Sequence, residues 1–342
     1  MTCIIFTRYL YEKHSVQIAL TLSLLDKEEE EALFWAYELY DSGFINDVFA
    51  TLWHAYYDFY ASSNFYLEQY FLNKWKEFGN SVQMIKVIIC NLIIKPFTLD
   101  VFLVRPKEVF LEESMNFTNS EFTLFNVLFH EIIKSDYECV MKTLYNNFYF
   151  ELTKEKINLK KFMNTKHHVI NEHIICISRV FLCFMLKGNN KSKGHKCYLS
   201  TEHLIKEKDI VNISPSNILK NFSRFSLFSN EFMSLFSINY ESDLQTAYLM
   251  NWVYCSFKCP LWKGRIESHK GKINHAEKSI DFANDDELEA FYELYGLEPD
   301  EQCNDITECR VKPEMHINHN EECKSFVEQY NCDGFIKSNA YE

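Results

Sequence analysis

Two cysteines and two histidines follow one another at a spacing that suits a zinc ion. Zinc is held in proteins by four thiolate or imidazole ligands in a tetrahedron, and a turn between a cysteine pair and a histidine pair brings such ligands together. The pattern C-x3-C-x9-H-x5-H is formed by Cys255, Cys259, His269 and His275. Because the two cysteines also have the i, i+4 spacing of one helix face, the alternative interpretation is a pair of buried core thiols.

Further cysteines and histidines lie among acidic residues near the carboxyl end, at gaps that match no familiar zinc site. They are Cys303, Cys309, His316, His319, Cys323 and Cys332. A metal could fold such a segment, since its binding energy would replace a missing core. The alternative is an unstructured segment, and we expect no cofactor, with zinc as the alternative.

The segment 153–224 is basic, with fourteen lysine and arginine residues against five acidic ones. Positive side chains neutralise phosphates, and aromatic rings in the same segment could stack on bases. The candidate nucleic-acid contacts are Lys154, Lys156, Lys160, Lys161, Lys166, Lys191, Lys193 and Lys196. The alternative is that these lysines form solvated helix faces, or pair with the acidic residues that follow later in the chain.

Loops that bind nucleotides or carry catalytic nucleophiles have no counterpart in this sequence. The chain has eight glycines, and they form no G-x-G, no G-x-x-x-x-G-K and no G-x-S-x-G pattern. His130 and Glu131 are not followed by a second histidine at the metalloprotease spacing. A non-catalytic function is therefore favoured, although a site assembled from dispersed residues would leave no such pattern.

The charge of the chain is divided between a neutral body and an acidic end. Residues 1–280 hold 31 acidic and 31 basic side chains, whereas residues 281–342 hold 17 acidic and 4 basic ones. The apolar periodicity also ends near residue 298. We therefore predict three parts: a helical-hairpin domain at 1–187, a second helical region at 188–297, and a mobile acidic tail at 298–342 that is able to order on a partner.

The spacing of apolar residues predicts an all-α protein. Eight glycines and six prolines in 342 residues leave few tight turns. A capping box at Asp26 and Glu29, helix ends at Gly43 and Gly79, and a cap at Ser81 predict helix starts near 26, 46, 64 and 81. Later helices are expected at 120–135, 137–148, 168–187, 217–225, 243–258 and 285–295, and residues 98–104 are expected to be extended. The expected arrangement is antiparallel helical hairpins in an irregular bundle or a short repeat-like array.

No segment of the sequence predicts a membrane span or a signal peptide. The longest apolar stretches, at 87–94 and 180–186, are well short of the ~20 residues that a bilayer requires. The twelve cysteines lack the density and spacing of a secreted disulfide framework. We therefore expect a soluble protein with reduced thiols and no membrane partner.

Three segments resemble an uncharacterised helical protein family encoded by nucleocytoplasmic large DNA viruses. They are EALFWAYELYDSGF at 31–44, WVYCSFKCPLWKGRI at 252–266 and FYELYGLEPDE at 291–301. The resemblance implies a viral origin, and with it a location in the cytoplasm of the infected cell or in the virion. It implies no activity and no functional residues.

These observations predict a non-catalytic viral scaffold or adaptor that binds another protein through a helix face rich in tryptophan, tyrosine and phenylalanine. Aromatic side chains of this kind provide many of the strongest contacts in protein interfaces. The alternative is a nucleic-acid-associated accessory protein of viral replication or transcription that uses the basic segment. A third class, an enzyme without a recognisable motif, would require acidic or histidine side chains clustered in a pocket.

Overall fold

The computed structural model describes residues 3–64, 67–104, 244–295 and 319–330, and these residues are mostly helical, as predicted. The helices and strands, in chain order, are α1 Lys13–Leu25, α2 Glu29–Asp41, α3 Ile45–Ala55, a π-helical turn Tyr56–Tyr60, α4 Ala61–Asn64, α5 Leu67–Phe78, α6 Val82–Ile93, α7 Asp100–Val104, α8 Leu244–Ser256, α9 Pro260–Ser268, β1 Lys272–Asn274, β2 Ser279–Asp281, α10 Asp285–Tyr295 and α11 His319–Tyr330. The helices predicted at 120–135, 137–148, 168–187 and 217–225 lie outside the described residues, as does the whole basic segment.

The chain divides into two compact units, each built from several segments. Among the described residues, unit 1 contains 3–52, 80–93, 244–295 and 319–323, and unit 2 contains 53–64, 67–79, 94–104 and 324–330. No helix of the described ranges is both long and apolar enough to cross a bilayer.

In unit 1 the connection between α1 and α2 differs from the predicted capping box. Asp26 is the C-cap of α1, and Lys27 follows it with a positive φ of 64°. The Glu28 amide then donates to the carbonyl of Ser23, which completes a Schellman motif at the end of α1. The capping-box prediction is wrong, because these residues close the preceding helix and α2 begins without a side-chain cap bond.

The predicted helix ends at Gly43 and Gly79 and the predicted cap at Ser81 are confirmed. Gly43 and Gly79 have positive φ values of 90° and 58°, and each follows the end of a helix. The Ser81 hydroxyl accepts a hydrogen bond from the Met84 amide at the start of α6. The apolar face of α2 is buried, and α2 packs against both α1 and α6.

The later part of unit 1 contains the two helices predicted at 243–258 and 285–295, and also elements that were not predicted. Helix α9 begins with Pro260 at its first position, where the missing amide costs nothing. A short antiparallel hairpin of β1 and β2 follows it. Trp252, Trp262 and Phe291 have no exposed surface and pack together, with ring centroids 5.3 to 6.4 Å apart.

In unit 2 the π-helical turn continues directly into α4, so the chain is already helical at Asn64, where the sequence predicted a helix start. The extended piece predicted at 98–104 is mostly wrong. The Thr98 amide does donate to the carbonyl of Phe59, but α7 begins at Asp100. The short apolar run between two prolines fits one helical turn as well as a strand, which periodicity alone does not separate.

Helix α11 lies inside the segment predicted to be a mobile tail. Phe326 has no exposed surface, and its ring packs against Phe59 and Phe102 of unit 2. Tyr330 contacts Phe97 with ring centroids 6.3 Å apart. An amphipathic turn with aromatic residues four apart thus anchors this part of the acidic segment, and charge composition alone did not indicate it.

Candidate functional site

A group of polar and aromatic side chains in unit 1 joins three segments that are far apart in the sequence. It comprises the turn at residues 7–9, the last turns of α2, and α9 with the end of α10. The indole nitrogen of Trp262 donates to the carbonyl of Thr7 at 3.0 Å, across 255 positions of the chain. We call this group the arginine cluster, and its members are Thr7, Arg8, Tyr9, Glu38, Asp41, Ser42, Cys259, Trp262, Arg265 and Tyr295.

Arg8 is the arginine of this cluster whose charge is balanced. Its Nε donates to Glu38 at 2.8 Å, and its Nη1 donates to Asp41 at 2.6 Å. The Glu38 side chain has no exposed surface, and its second oxygen accepts hydrogen bonds from the Thr7 hydroxyl and the Tyr9 amide. Burial opposes the charge on Arg8, but the attraction of Glu38 and Asp41 exceeds that effect and raises the pKa of Arg8. We call these ion pairs and hydrogen bonds of Arg8, Glu38 and Asp41 the Arg8–Glu38 clamp.

The end of α2 meets the start of α9 directly beside this clamp. Ser42 donates its hydroxyl proton to the carbonyl of Glu38 and accepts a hydrogen bond from the Arg8 amide. The carbonyl of Ser42 accepts bonds from the Leu261 amide at 3.3 Å and from the Cys259 thiol at 3.2 Å. Carbonyls left without partners at one helix end thus meet amides left without partners at the start of another. This junction fixes α9, and with it the position of Arg265.

Arg265 is held between two aromatic rings and has no acidic partner among the described residues. Its guanidinium carbon lies 4.6 Å from the centroid of the Trp262 ring and 4.9 Å from that of Tyr295. The spacing i, i+3 places Trp262 and Arg265 on one face of α9. Nη1 of Arg265 is buried without a hydrogen-bond partner. Burial lowers the pKa of Arg265, and repulsion from Arg8 lowers it further.

The four side chains of the predicted zinc site are not brought together. Cys255 is buried at the end of α8, and Cys259 precedes α9 and donates to a backbone carbonyl. His269 lies 3.6 Å from the Glu287 carboxylate, and His275 lies 3.3 Å from the Tyr254 hydroxyl. No group of three or more His, Cys, Asp or Glu side chains in the described ranges could hold a metal ion. The site stays a prediction from spacing.

Both thiols are buried, as the alternative interpretation predicts. Burial raises the pKa of Cys255 to about 12 and that of Cys259 to about 11. A thiol with so high a pKa is almost entirely protonated at neutral pH, and it is the thiolate that attacks electrophiles or binds metals. Neither cysteine is prepared for nucleophilic catalysis in this environment.

Unit 2 contains a second group of buried ionisable side chains near the π-helical turn. Asp58, Glu68 and Asp100 are all buried. Burial raises the pKa of Glu68 to about 7, although a hydrogen bond from Tyr57 partly offsets that effect. π-Helical turns are rare and often occur at functional sites. Glu68 is therefore able to gain or lose a proton near neutral pH, but the group offers no metal site among the described residues.

The surface beside Arg265 is formed by α10, whose two faces differ in chemistry. Phe291 is fully buried on the inner face, whereas Asp286, Glu289 and Glu293 are exposed at helical spacing. Leu294 is 48% exposed, and Tyr295, the last residue of α10, is half-buried against Arg265. The other large apolar side chains with high exposure in the described ranges are Ile94 and Met250.

The aromatic side chains expected on an exposed helix face are mostly in the cores of the described residues. The largest of those with under 2% exposure are Trp35, Trp252, Trp262, Tyr56, Tyr57, Tyr60, Tyr248, Phe6, Phe59, Phe71, Phe291 and Phe326. The aromatic part of the surface beside Arg265 comes instead from half-buried tyrosines, namely Tyr9, Tyr292 and Tyr295.

The sequence pattern did not identify the arginine cluster, although two signals for it were present. Glu38 stands between Trp35 and Leu39 on the apolar face of α2, and a carboxylate at such a position needs a buried partner. Trp262 and Arg265 have the i, i+3 spacing of a cation–π pair on one helix. The predicted nucleic-acid contacts, Lys154, Lys156, Lys160, Lys161, Lys166, Lys191, Lys193 and Lys196, lie outside the described residues.

Comparison of the chain with protein-family models, with curated proteins and with solved structures finds no match. The resemblance of three segments to a family of large DNA viruses therefore stays a prediction.

Proposed function

We propose that the protein is a non-catalytic viral scaffold or adaptor that binds another protein, acting in the cytoplasm of the infected cell or in the virion. We further propose that its helices form antiparallel hairpins in an irregular bundle or a short repeat-like array, followed by an acidic C-terminal segment. The observation that supports binding is the half-buried pair of Arg265 and Tyr295 at the end of α10, the helix that also exposes Leu294.

Three properties of this surface suit a protein partner. Tyrosine and arginine are enriched among the residues that contribute most to interface affinity, and here both are half-buried on a fixed base. That base is formed by Trp262 and Phe291, which are fully buried. A side chain that is already ordered loses less entropy when a partner binds. Leu294, the residue before Tyr295 in α10, adds an exposed apolar side chain on the same helix.

A non-catalytic function agrees with the state of the nearby reactive groups. Glu38 and Asp41 are bound by Arg8, and the Cys259 thiol has a raised pKa. The described part of the arginine cluster thus offers a rigid surface and no activated nucleophile.

Site-specific photo-crosslinking tests this proposal. A benzophenone amino acid placed at Leu294 is expected to yield one or a few discrete cross-linked polypeptides in infected-cell extract. The control position is Lys76, an exposed residue of α5 in unit 2. Equal cross-linking at both positions, or none at Leu294, would contradict binding through this surface.

The alternative, a nucleic-acid-associated accessory protein, depends on the basic segment 153–224 alone. The described acidic face of α10 repels phosphates and does not favour it. A salt titration of binding to single- and double-stranded DNA separates the two functions, because affinity that depends on phosphate neutralisation falls steeply with salt.

A further inference from the structure

We propose that Arg265 binds a single carboxylate group supplied by the protein partner. This inference depends on the proposed function and names the chemistry that the partner must present. It follows from a comparison of the two arginines in one cluster. In the described part of the chain, Arg8 has acidic partners and Arg265 has none.

Arg8 and Arg265 are both partly buried, but the fold treats their charges differently. Arg8 donates to two carboxylates, those of Glu38 and Asp41. Among the described residues the Arg265 guanidinium makes no hydrogen bond or ion pair, and its Nη1 is buried without a partner. A partly buried charge without an opposite charge is costly, because the faces of two aromatic rings replace only part of the water that it has lost. An anion on Arg265 would remove that cost.

The surroundings of Arg265 hold its guanidinium ready for such a ligand. The rings of Trp262 and Tyr295 lie within 5 Å of it and limit the orientations of its planar fork. Because Nη1 is buried, the two parallel N–H donors that match the two oxygens of a carboxylate are those of Nε and Nη2. The depressed pKa of Arg265 has the same physical origin, since burial and the nearby Arg8 both disfavour its charge.

The charge around the site favours a carboxylate over a phosphate or a nucleic acid. Helix α10, which supplies Tyr295, also exposes Asp286, Glu289 and Glu293. These carboxylates repel polyanions and dianions more strongly than they repel a single negative charge. The single positive charge of Arg265 is therefore neutralised by one singly charged carboxylate. Such a group is present on an aspartate, a glutamate or a chain terminus of the partner.

The test measures anion binding to the intact protein at constant ionic strength and pH 7. Sodium acetate replaces sodium chloride stepwise, and the Nε resonance of Arg265 and the melting temperature are followed. The resonance is assigned by its absence from Arg265→Met. The control is Lys263→Met, which removes an exposed cation from the same helix.

We expect acetate to shift the Arg265 resonance saturably in the wild type and in Lys263→Met. The acetate-dependent rise in melting temperature should be present in these two proteins and absent from Arg265→Met. If Arg265→Met does not fold, Arg265→Lys is used, which keeps the charge and loses the planar fork, and its response should be weaker. An equal response in the wild type and the Arg265 variants would overturn the proposal. Saturation by inorganic phosphate at a lower concentration than acetate would overturn the choice of a carboxylate.

Failure of this inference and failure of the proposed function give different results. Cross-linking at Leu294 reports partner binding independently of Arg265. If Arg265→Met weakens partner binding about tenfold or more, as truncation of an interface arginine commonly does, both statements hold. Unchanged binding in Arg265→Met would leave the adaptor function intact and refute the carboxylate site. Acetate binding without any cross-linked partner would refute the adaptor function alone.

Discussion

Replacement of Glu38 by glutamine tests whether the Arg8–Glu38 clamp holds the N-terminal turn onto unit 1. The carboxylate has no exposed surface and accepts hydrogen bonds from Arg8 Nε, the Thr7 hydroxyl and the Tyr9 amide. A glutamine in the same place keeps one acceptor oxygen and presents an NH2 group to donors on the other side. At least one buried donor therefore loses its partner, and Arg8 loses its nearest negative charge.

The size of the effect follows from the burial of the two partners. Loss of one member of a buried ion pair costs about 3–5 kcal/mol. The loss is smaller here, because Arg8 keeps its bond to Asp41 and its side chain is 12% exposed. We expect Glu38→Gln to destabilise unit 1 by about 2–4 kcal/mol. The matched control, Asp41→Asn, removes a single bond from a side chain that is 32% exposed, and should cost about 1 kcal/mol or less.

Hydrogen exchange resolved by peptide is the suitable assay, because the chain has two units and a single unfolding curve would mix them. Amides in residues 7–13 should exchange faster in Glu38→Gln, while peptides from α5 in unit 2 should not change. The double variant Arg8→Met with Glu38→Leu removes both charges and should recover much of the lost protection. Two results would contradict this explanation. One is a loss of stability in Glu38→Gln that is no larger than in Asp41→Asn. The other is that the losses of the single Arg8 and Glu38 variants sum to that of the double variant.

Two further predictions concern a buried acid and a pair of glycines. Burial raises the pKa of Glu68 from 4.5 to about 7, so its ionisation opposes folding only as the pH rises through this range. Glu68→Gln should therefore match the wild type near pH 4 and be more stable at pH 8, by up to about 3 kcal/mol. Gly43→Ala should cost at least about 1 kcal/mol more than Gly79→Ala, because a Cβ at Gly43 would lie 2.6 Å from Pro260 Cβ, whereas none of the described atoms lies within 4 Å at Gly79.

Thermal unfolding at several pH values checks the first of these predictions, with the exposed Glu77→Gln on the same helix as its control. A gain at pH 8 that persists unchanged at pH 4 would show that ionisation of Glu68 is not its cause. Peptide-resolved hydrogen exchange checks the second, because the two glycines lie in different units. Equal losses of stability in Gly43→Ala and Gly79→Ala would contradict the prediction. They would mean that the positive φ, which both glycines share, accounts for the whole destabilisation.

Neighbouring residues predicted those helix ends that depend on neighbouring residues alone. Gly43 and Gly79 end helices because glycine adopts a positive φ cheaply, and the neighbouring residues are sufficient to indicate it. Asp26 was misinterpreted because the same few residues can close one helix or open the next. The outcome depended on Lys27 adopting a positive φ, which a lysine seldom does. The hairpin after α9 was missed because its turn, at residues 275–278, contains no glycine.

The arginine cluster could not be predicted, because its partners lie far apart in the sequence. Arg8 meets Glu38 across 30 positions, and Thr7 meets Trp262 across 255. Spacing rules describe neighbours on one helix and carry no information about such pairs. The zinc pattern is the opposite case. Its residues are close in the sequence, but α9 lies between the cysteines and the histidines and carries the two pairs to different surroundings.

The bond between Thr7 and Trp262 has a consequence for the synthesis of the protein on the ribosome. Translation proceeds at about 5–20 residues per second, so the N-terminal turn waits roughly 13–50 s for its partner across 255 positions. During that interval the buried ring of Phe6 lacks its contact with Tyr248 of α8. Unit 1 is thus completed only after residue 262 has been synthesised, and until then the nascent chain exposes apolar surface that the folded unit buries.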